Sequence, residues 1–132
     1  MTHLARGSGT ILVVDDESGM RNLARTILEN SGYTVLTAYD GGDAIRVFRR
    51  HAGEVAAIVL DLTMPVMNGE ETAAELQRIR AGVPIILSSG YSEQEAAGSF
   101  GGLGLAGFLK KPYVPSELTR AVQKAIERPL IG

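Results

Sequence analysis

Five short apolar runs punctuate the chain, and between them apolar residues recur every three or four positions. The runs are Thr10–Val14 (TILVV), Tyr33–Ala38 (YTVLTA), Ala56–Leu60 (AAIVL, ending abruptly in Asp61), Val83–Leu87 (VPIIL) and Ala106–Lys110. Continuous apolar runs of this length, rich in β-branched residues, predict strands covered on both faces. Helical spacing joins Met20, Leu23, Ala24, Ile27 and Leu28, with Ser18 as the expected cap and Gly32 as the left-handed stop. A second helix carries Ala44, Ile45, Val47 and Phe48 between an Asp40 cap and Gly53. Asn68 and Glu71 have capping-box spacing and open a third, with Ala73, Leu76 and Ile79 inward and its end at Gly82. Tyr91 to about Phe100 predicts a weak fourth helix, poor in large apolar residues. The last is clearly amphipathic, through Leu118, Ala121, Val122, Ala125 and Ile126, and ends at Pro129. At its capping position Val114 replaces a polar residue, and Pro115 partly compensates by removing a donor.

Strand and helix therefore alternate five times. That pattern demands a parallel sheet with helices on both faces. The expectation is an α/β, flavodoxin-like, doubly wound five-stranded sheet, (βα)5, with strand order 2-1-3-4-5. Residues 10–128 form its one domain, residues 1–9 a flexible leader or linker, and residues 129–132 a short tail.

Composition narrows the function more by exclusion than by assertion. A chain of 132 residues supports one well-buried core, and a net charge of −2 with no basic stripe or aromatic platform argues against direct nucleic-acid binding. The absence of cysteine excludes disulfides, thiolate zinc sites and thiol catalysis. No apolar run approaches the roughly 20 residues of a membrane span, and no signal-peptide stretch opens the chain, so no membrane contact and a cytoplasmic location are expected.

Four residue groups fall at successive strand ends: Asp15-Asp16, Asp61, Ser88-Ser89 and Lys111. In a parallel sheet those ends share one edge, where α/β folds bind ligands. Carboxylates gathered there repel one another and raise each other's pKa unless a cation sits among them. A hard divalent ion answers this. Magnesium takes few carboxylates and leaves room for phosphate oxygens, while a lysine and a serine hydroxyl suit the same phosphate. The set is built for a phosphoryl group carried on one carboxylate, since Asp can act as a nucleophile that forms an aspartyl phosphate.

The motifs that carry these residues are ILVVDDES, VLDLTMPVMNG with Pro65 and Gly69 following Asp61, PIILSSG, and GFLKKPY. Together and in this order they resemble the receiver domain of bacterial two-component response regulators, over residues 10 to 128. The resemblance implies that Asp61 is the phosphoacceptor, served by a phosphohistidine on a sensor histidine kinase or histidine phosphotransfer domain. It implies that Asp16 ligates Mg2+ directly, Asp15 chiefly through water, and Thr63 through its backbone carbonyl, with Mn2+ as a substitute ion. Lys111, the residue before proline, rather than Lys110, would pair with the phosphoryl oxygens. Ser89 would be the switch hydroxyl and Phe108 the switch aromatic. The changing face, formed by the fourth helix, fifth strand and fifth helix, would meet a downstream protein. Thr63 and Tyr91 would tune phosphoryl lifetime, with Tyr91 shielding the group from water. The module is then a signalling switch and not an enzyme, apart from its own phosphorylation and dephosphorylation.

Other readings fit less well. A receiver-like scaffold without phosphoryl turnover is the main alternative. An Asp-nucleophile phosphatase of the haloacid-dehalogenase type needs a second Asp two residues on, where this chain has Thr63. A flavodoxin-like FMN carrier needs a Ser/Thr-rich loop after the first strand. The string from Gly102 to Gly107 matches G-x-G-x-x-G but precedes a strand instead of opening a helix, so it is not a dinucleotide site. With four residues after Arg128, output is expected through protein contact or from a longer chain. The stretches around Gly7–Asp15 and Ser89–Ser92 resemble receivers at the ends of hybrid sensor kinases.

Overall fold

The computed structural model describes residues 9–62, 68–90 and 105–127. Its strands are β1 (Thr10–Val14), β2 (Thr34–Ala38), β3 (Val55–Asp61), β4 (Ile85–Ser89) and β5 (Gly107–Lys110). The helices among these residues are α1 (Ser18–Asn30), α2 (Gly41–His51), α3 (Gly69–Ile79) and α4 (Pro115–Glu127). The expected helix from Tyr91 to Phe100 and the expected stop at Pro129 lie outside the described residues. The five strands are parallel in the order β2-β1-β3-β4-β5. The fold is thus the expected flavodoxin-like sheet.

Alternation along the strands splits the core in two. Leu12, Val14, Ile58, Leu60, Ile85 and Leu87 face α2 and α3, where they meet Ala44, Phe48, Ala73 and Leu76. Ile11, Val13, Ala57, Val59 and Ile86 face the other way, onto Ala24, Leu28, Leu118 and Val122 of α1 and α4. Because strand side chains point alternately to opposite faces, an uninterrupted apolar run is what a sheet covered on both sides requires.

The helix ends repeat most of the expected chemistry. Asp40 accepts the Asp43 N–H at 2.8 Å and caps α2. Asn68 and Glu71 exchange hydrogen bonds at 2.9 and 3.1 Å in the expected capping box of α3. Gly32 takes a φ of 104°, the left-handed turn that lets Tyr33 N–H reach back to Leu28 O.

Four local details differ from the sequence reading. Ser18 does not cap α1: it is already the first helical residue, and the capping position belongs to Glu17, which makes no side-chain cap bond. The turn is held instead by Asp15 Oδ1, which accepts the Glu17 N–H at 2.9 Å. Strand β4 begins at Ile85, two residues later than expected, because Pro84 has no N–H to give the ladder, and it runs through both serines. Helix α3 stops at Ile79 rather than Gly82, where Arg80 turns extended and its guanidinium binds Ala52 O and Val55 O at 2.7 and 2.6 Å. At the start of α4 the Val114 N–H is satisfied by the Glu117 carboxylate at 3.0 Å, half of a capping box that the valine does not foreclose.

Candidate functional site

Register brings the candidate residues to one level of the sheet. Val14 pairs with both Ala38 and Leu60, so Asp15, the next residue, emerges beside Asp61. Asp61 in turn pairs with Ser88, and Ser89 with Lys110, which places Lys111 one step beyond Ser89. Main-chain bonds continue this edge past the strands, from Leu62 N–H to Ser88 O at 2.8 Å and from Lys111 N–H to Ser89 O at 2.7 Å. The Lys111–Pro112 peptide is cis.

At the centre lies a carboxylate–ammonium–carboxylate bridge. The Lys111 Nζ donates to Asp15 Oδ2 at 2.9 Å and to Asp61 Oδ1 at 3.2 Å. Both aspartates are 3% exposed, so these charges interact with little screening by water. Lys110 turns away and its Nζ bonds Gly90 O at 2.9 Å, so of the two adjacent lysines only Lys111 enters the site. Asp16 completes the acidic group from an exposed position, and one oxygen from each of Asp15, Asp16 and Asp61 lies within 4.8 Å of the others.

The electrostatics single out Asp61. Burial, then the charge of Asp15, pushes its carboxyl up to about 7, and a side-chain hydrogen bond with Asp16 adds to the rise, against the opposing pull of Lys111. Mutual repulsion, the cause expected from the sequence, is therefore second to desolvation. Burial alone would lower Lys111, but its hydrogen bonds and charge pairing with Asp15 and Asp61 outweigh this and raise it. One ammonium does not fully offset three gathered carboxylates. The donor set is oxygen only, and with residual negative charge it fits a hard divalent cation such as Mg2+ better than a softer, nitrogen- or sulfur-seeking metal. The three aspartates can together hold such an ion.

Of the remaining candidates, Ser89 is 1% exposed at the end of β4. Phe108 on β5 is half-buried; it pairs with Leu87 and packs against the α2–α3 side of the core. It also lines a cavity of about 590 Å³ between β5 and α4, together with Lys110, Glu117, Arg120 and Lys124. Thr63 and Tyr91 lie outside the described residues.

Two neighbours escaped the sequence reading. Tyr113 is buried beside the site, and burial followed by the charge of Asp15 raises its hydroxyl pKa. Its position directly after Lys111-Pro112 was the available signal. Arg21, one turn into α1, donates from Nη1 to the main-chain oxygen of Asp15 at 2.8 Å. Helical spacing marks only its apolar neighbours, so nothing in the pattern pointed to it.

This geometry has a family. The model of the response regulator receiver domain matches residues 11–123, and the chain belongs to that family. A sensor kinase, CckA of Brucella abortus, is 34% identical over 122 residues, 92% of this chain and 13% of that protein. The transcriptional regulatory protein GlrR of Escherichia coli is 32% identical over 89% of this chain and 26% of its own length. A response regulator receiver domain protein from Clostridium thermocellum superposes with a TM-score of 0.84 at 28% identity, covering 91% of this chain and 95% of that one. The chain thus spans 13% to 26% of these two curated relatives. It is a receiver domain of two-component systems, a signalling switch whose acidic cluster matches a phosphoacceptor site. Among the described residues no helix is long and apolar enough to cross a membrane.

Proposed function

We propose that Asp61 takes a phosphoryl group from a phosphohistidine on a sensor histidine kinase or histidine phosphotransfer domain. The observation that carries this reading is the Lys111 ammonium held between two buried carboxylates, 2.9 Å from Asp15 and 3.2 Å from Asp61. An Asp61 oxygen attacks phosphorus in line, the O–P bond forms as the donor's N–P bond breaks, and the imidazole leaves with the electron pair and takes a proton. Lys111, already within bonding distance of Asp61, follows the phosphoryl oxygens and offsets the charge they carry. Asp15, Asp16 and Asp61 would hold Mg2+ (or Mn2+), with the Thr63 carbonyl as a further ligand, and the ion would supply charge neutralisation at the phosphoryl oxygens. Ser89 then donates its hydroxyl to the new phosphoryl group, a contact available in only one state. Such a contact can bias a pre-existing equilibrium toward a more inward Phe108 and an altered face for a downstream protein.

On this reading the domain is not an enzyme toward other substrates, acts in the cytoplasm, and comprises residues 10–128. The likeness to CckA supports a place within a longer sensor kinase. Incubation with Mg2+ and a small acyl phosphate tests the reading by intact mass. The wild-type chain gains one phosphoryl group and Asp61→Asn gains none; no gain on wild type would leave only a scaffold, and equal gain on both would put the phosphate elsewhere.

Tyr91, two residues after the switch serine, is proposed to shield the phosphoryl group from water. Tyr91→Ala is expected to lose phosphate faster than wild type when followed by mass after the donor is removed. An unchanged or slower loss would dismiss the shield.

A further inference from the structure

Every polar atom of Asp15 has a partner, and the partners come from four different segments. Its N–H donates to Ala38 O at 3.1 Å at the end of β2. Its carboxylate accepts the Glu17 N–H on Oδ1 and the Lys111 ammonium on Oδ2, each at 2.9 Å. Its main-chain oxygen accepts from Arg21 Nη1 at 2.8 Å. Of these, only the Arg21 bond reaches back from the body of a helix to the turn that carries Asp15 and Asp16. Helix α1 begins without a side-chain cap and without an acidic residue in its first turn. The usual devices that fix a helix entry are therefore missing where the site most needs a fixed turn.

We infer that Arg21 is a positioning residue for the cation site: its guanidinium pins the main chain between Asp15 and Asp16, so that both carboxylates are preset toward Asp61. This rests on the proposed Mg2+ role of those aspartates. Two physical effects of Arg21 oppose each other. Its positive charge near the acidic group repels a second cation. Its hydrogen bond orients the ligands and spares the ion the cost of ordering them, and partners that orient metal ligands commonly govern affinity by tenfold or more. The bond is short, charge-assisted and half-buried, and only one of the five guanidinium donors is committed to it, so orientation outweighs repulsion.

The test is calorimetric titration of Mg2+ into the unphosphorylated chain, for wild type, Arg21→Met and Arg21→Lys. Arg21→Met, which removes charge and donor together, weakens Mg2+ binding by about tenfold. Arg21→Lys, with the charge and one donor on a shorter stem, falls between the two. Phosphorylation at saturating Mg2+ recovers most of the wild-type rate in Arg21→Met, since the residue touches no reacting atom, whereas a purely structural lesion would not be recovered by metal. Unchanged or tighter binding in Arg21→Met overturns the inference, because repulsion alone predicts tightening. Where circular dichroism shows that Arg21→Met does not fold, Arg21→Lys decides: weaker binding supports the inference and equal or tighter binding overturns it. A wild-type chain that takes up no Mg2+ would instead refute the cation site itself.

Discussion

Gly69→Ala is expected to destabilise the chain by about 3 kcal/mol, the upper part of the range for overfilling a packed site. It also uncouples the site from the fold. A Cβ at position 69 would stand 2.7 Å from Leu62 Cα, 2.8 Å from Asp61 O and 2.9 Å from Leu62 O. All three obstacles are main chain, so no side-chain rotation relieves them. Gly69 N–H bonds Leu62 O at 2.9 Å, which presses the first turn of α3 directly onto the end of β3. An added methyl must push the helix off or displace the main-chain carbonyl of Asp61. For a domain of this size the loss corresponds to a melting-point drop of about 10 °C. Phosphorylation from a small acyl phosphate falls steeply in the same variant even well below its melting point. A melting point within about 1 °C of wild type would show that α3 can shift freely, since even 1 kcal/mol should move it more than that.

The same residue shows what was legible in the sequence. Gly69 stood out as a motif position after Asp61, but the reason for glycine there, a helix butted against a strand end, exists only in three dimensions. The strands were readable because burial on both faces leaves nothing to alternate; Ile11–Val14 and Ala57–Leu60 are 0–2% exposed throughout. The caps at Asp40 and Asn68 were readable because capping is local chemistry, settled within three residues. Ser18 misled for a related reason. A serine before an apolar stripe is a good cap in isolation, but Asp15, held by partners from β2 and the Lys111 loop, reaches Glu17 first. Strand β4 extended past its apolar part because Ser88 and Ser89 find ladder partners in Asp61 and Lys110, a fact of register rather than of local pattern. The gathering of Asp15, Asp61 and Lys111 was foreseeable from strand ends in a parallel sheet. That desolvation would outrank repulsion at Asp61 was not, since burial depth is not written in spacing.

That ordering of causes carries the second large effect. With no divalent ion present, Asp61→Asn should be more stable than wild type in alkaline solution and about equal to it in acid. The carboxyl of Asp61 is raised to about 7 in the folded chain from an ordinary 3.8. A raised acid binds its proton more tightly when folded, so its stabilising contribution is complete below about pH 4 and is lost as pH climbs through about 7. Above that the folded chain bears a buried, incompletely offset charge. A carboxyl raised this far would cost a rigid folded chain about 4 kcal/mol; with the surrounding chain relaxing around the buried charge, about 1–2 kcal/mol is expected. Asparagine removes the charge, and Lys111 keeps its 2.9 Å bond to Asp15. Melts in a chelator at about pH 8.5 and about pH 4.5 should therefore show the variant ahead by several degrees in the first and level in the second. Excess Mg2+ at the higher pH should stabilise wild type through binding to the folded state and erase or reverse the gap, while moving the variant little. If wild type were instead more stable than Asp61→Asn at alkaline pH without metal, the pairing with Lys111 would outweigh burial, and Asp61 would titrate as an ordinary salt-bridged carboxylate.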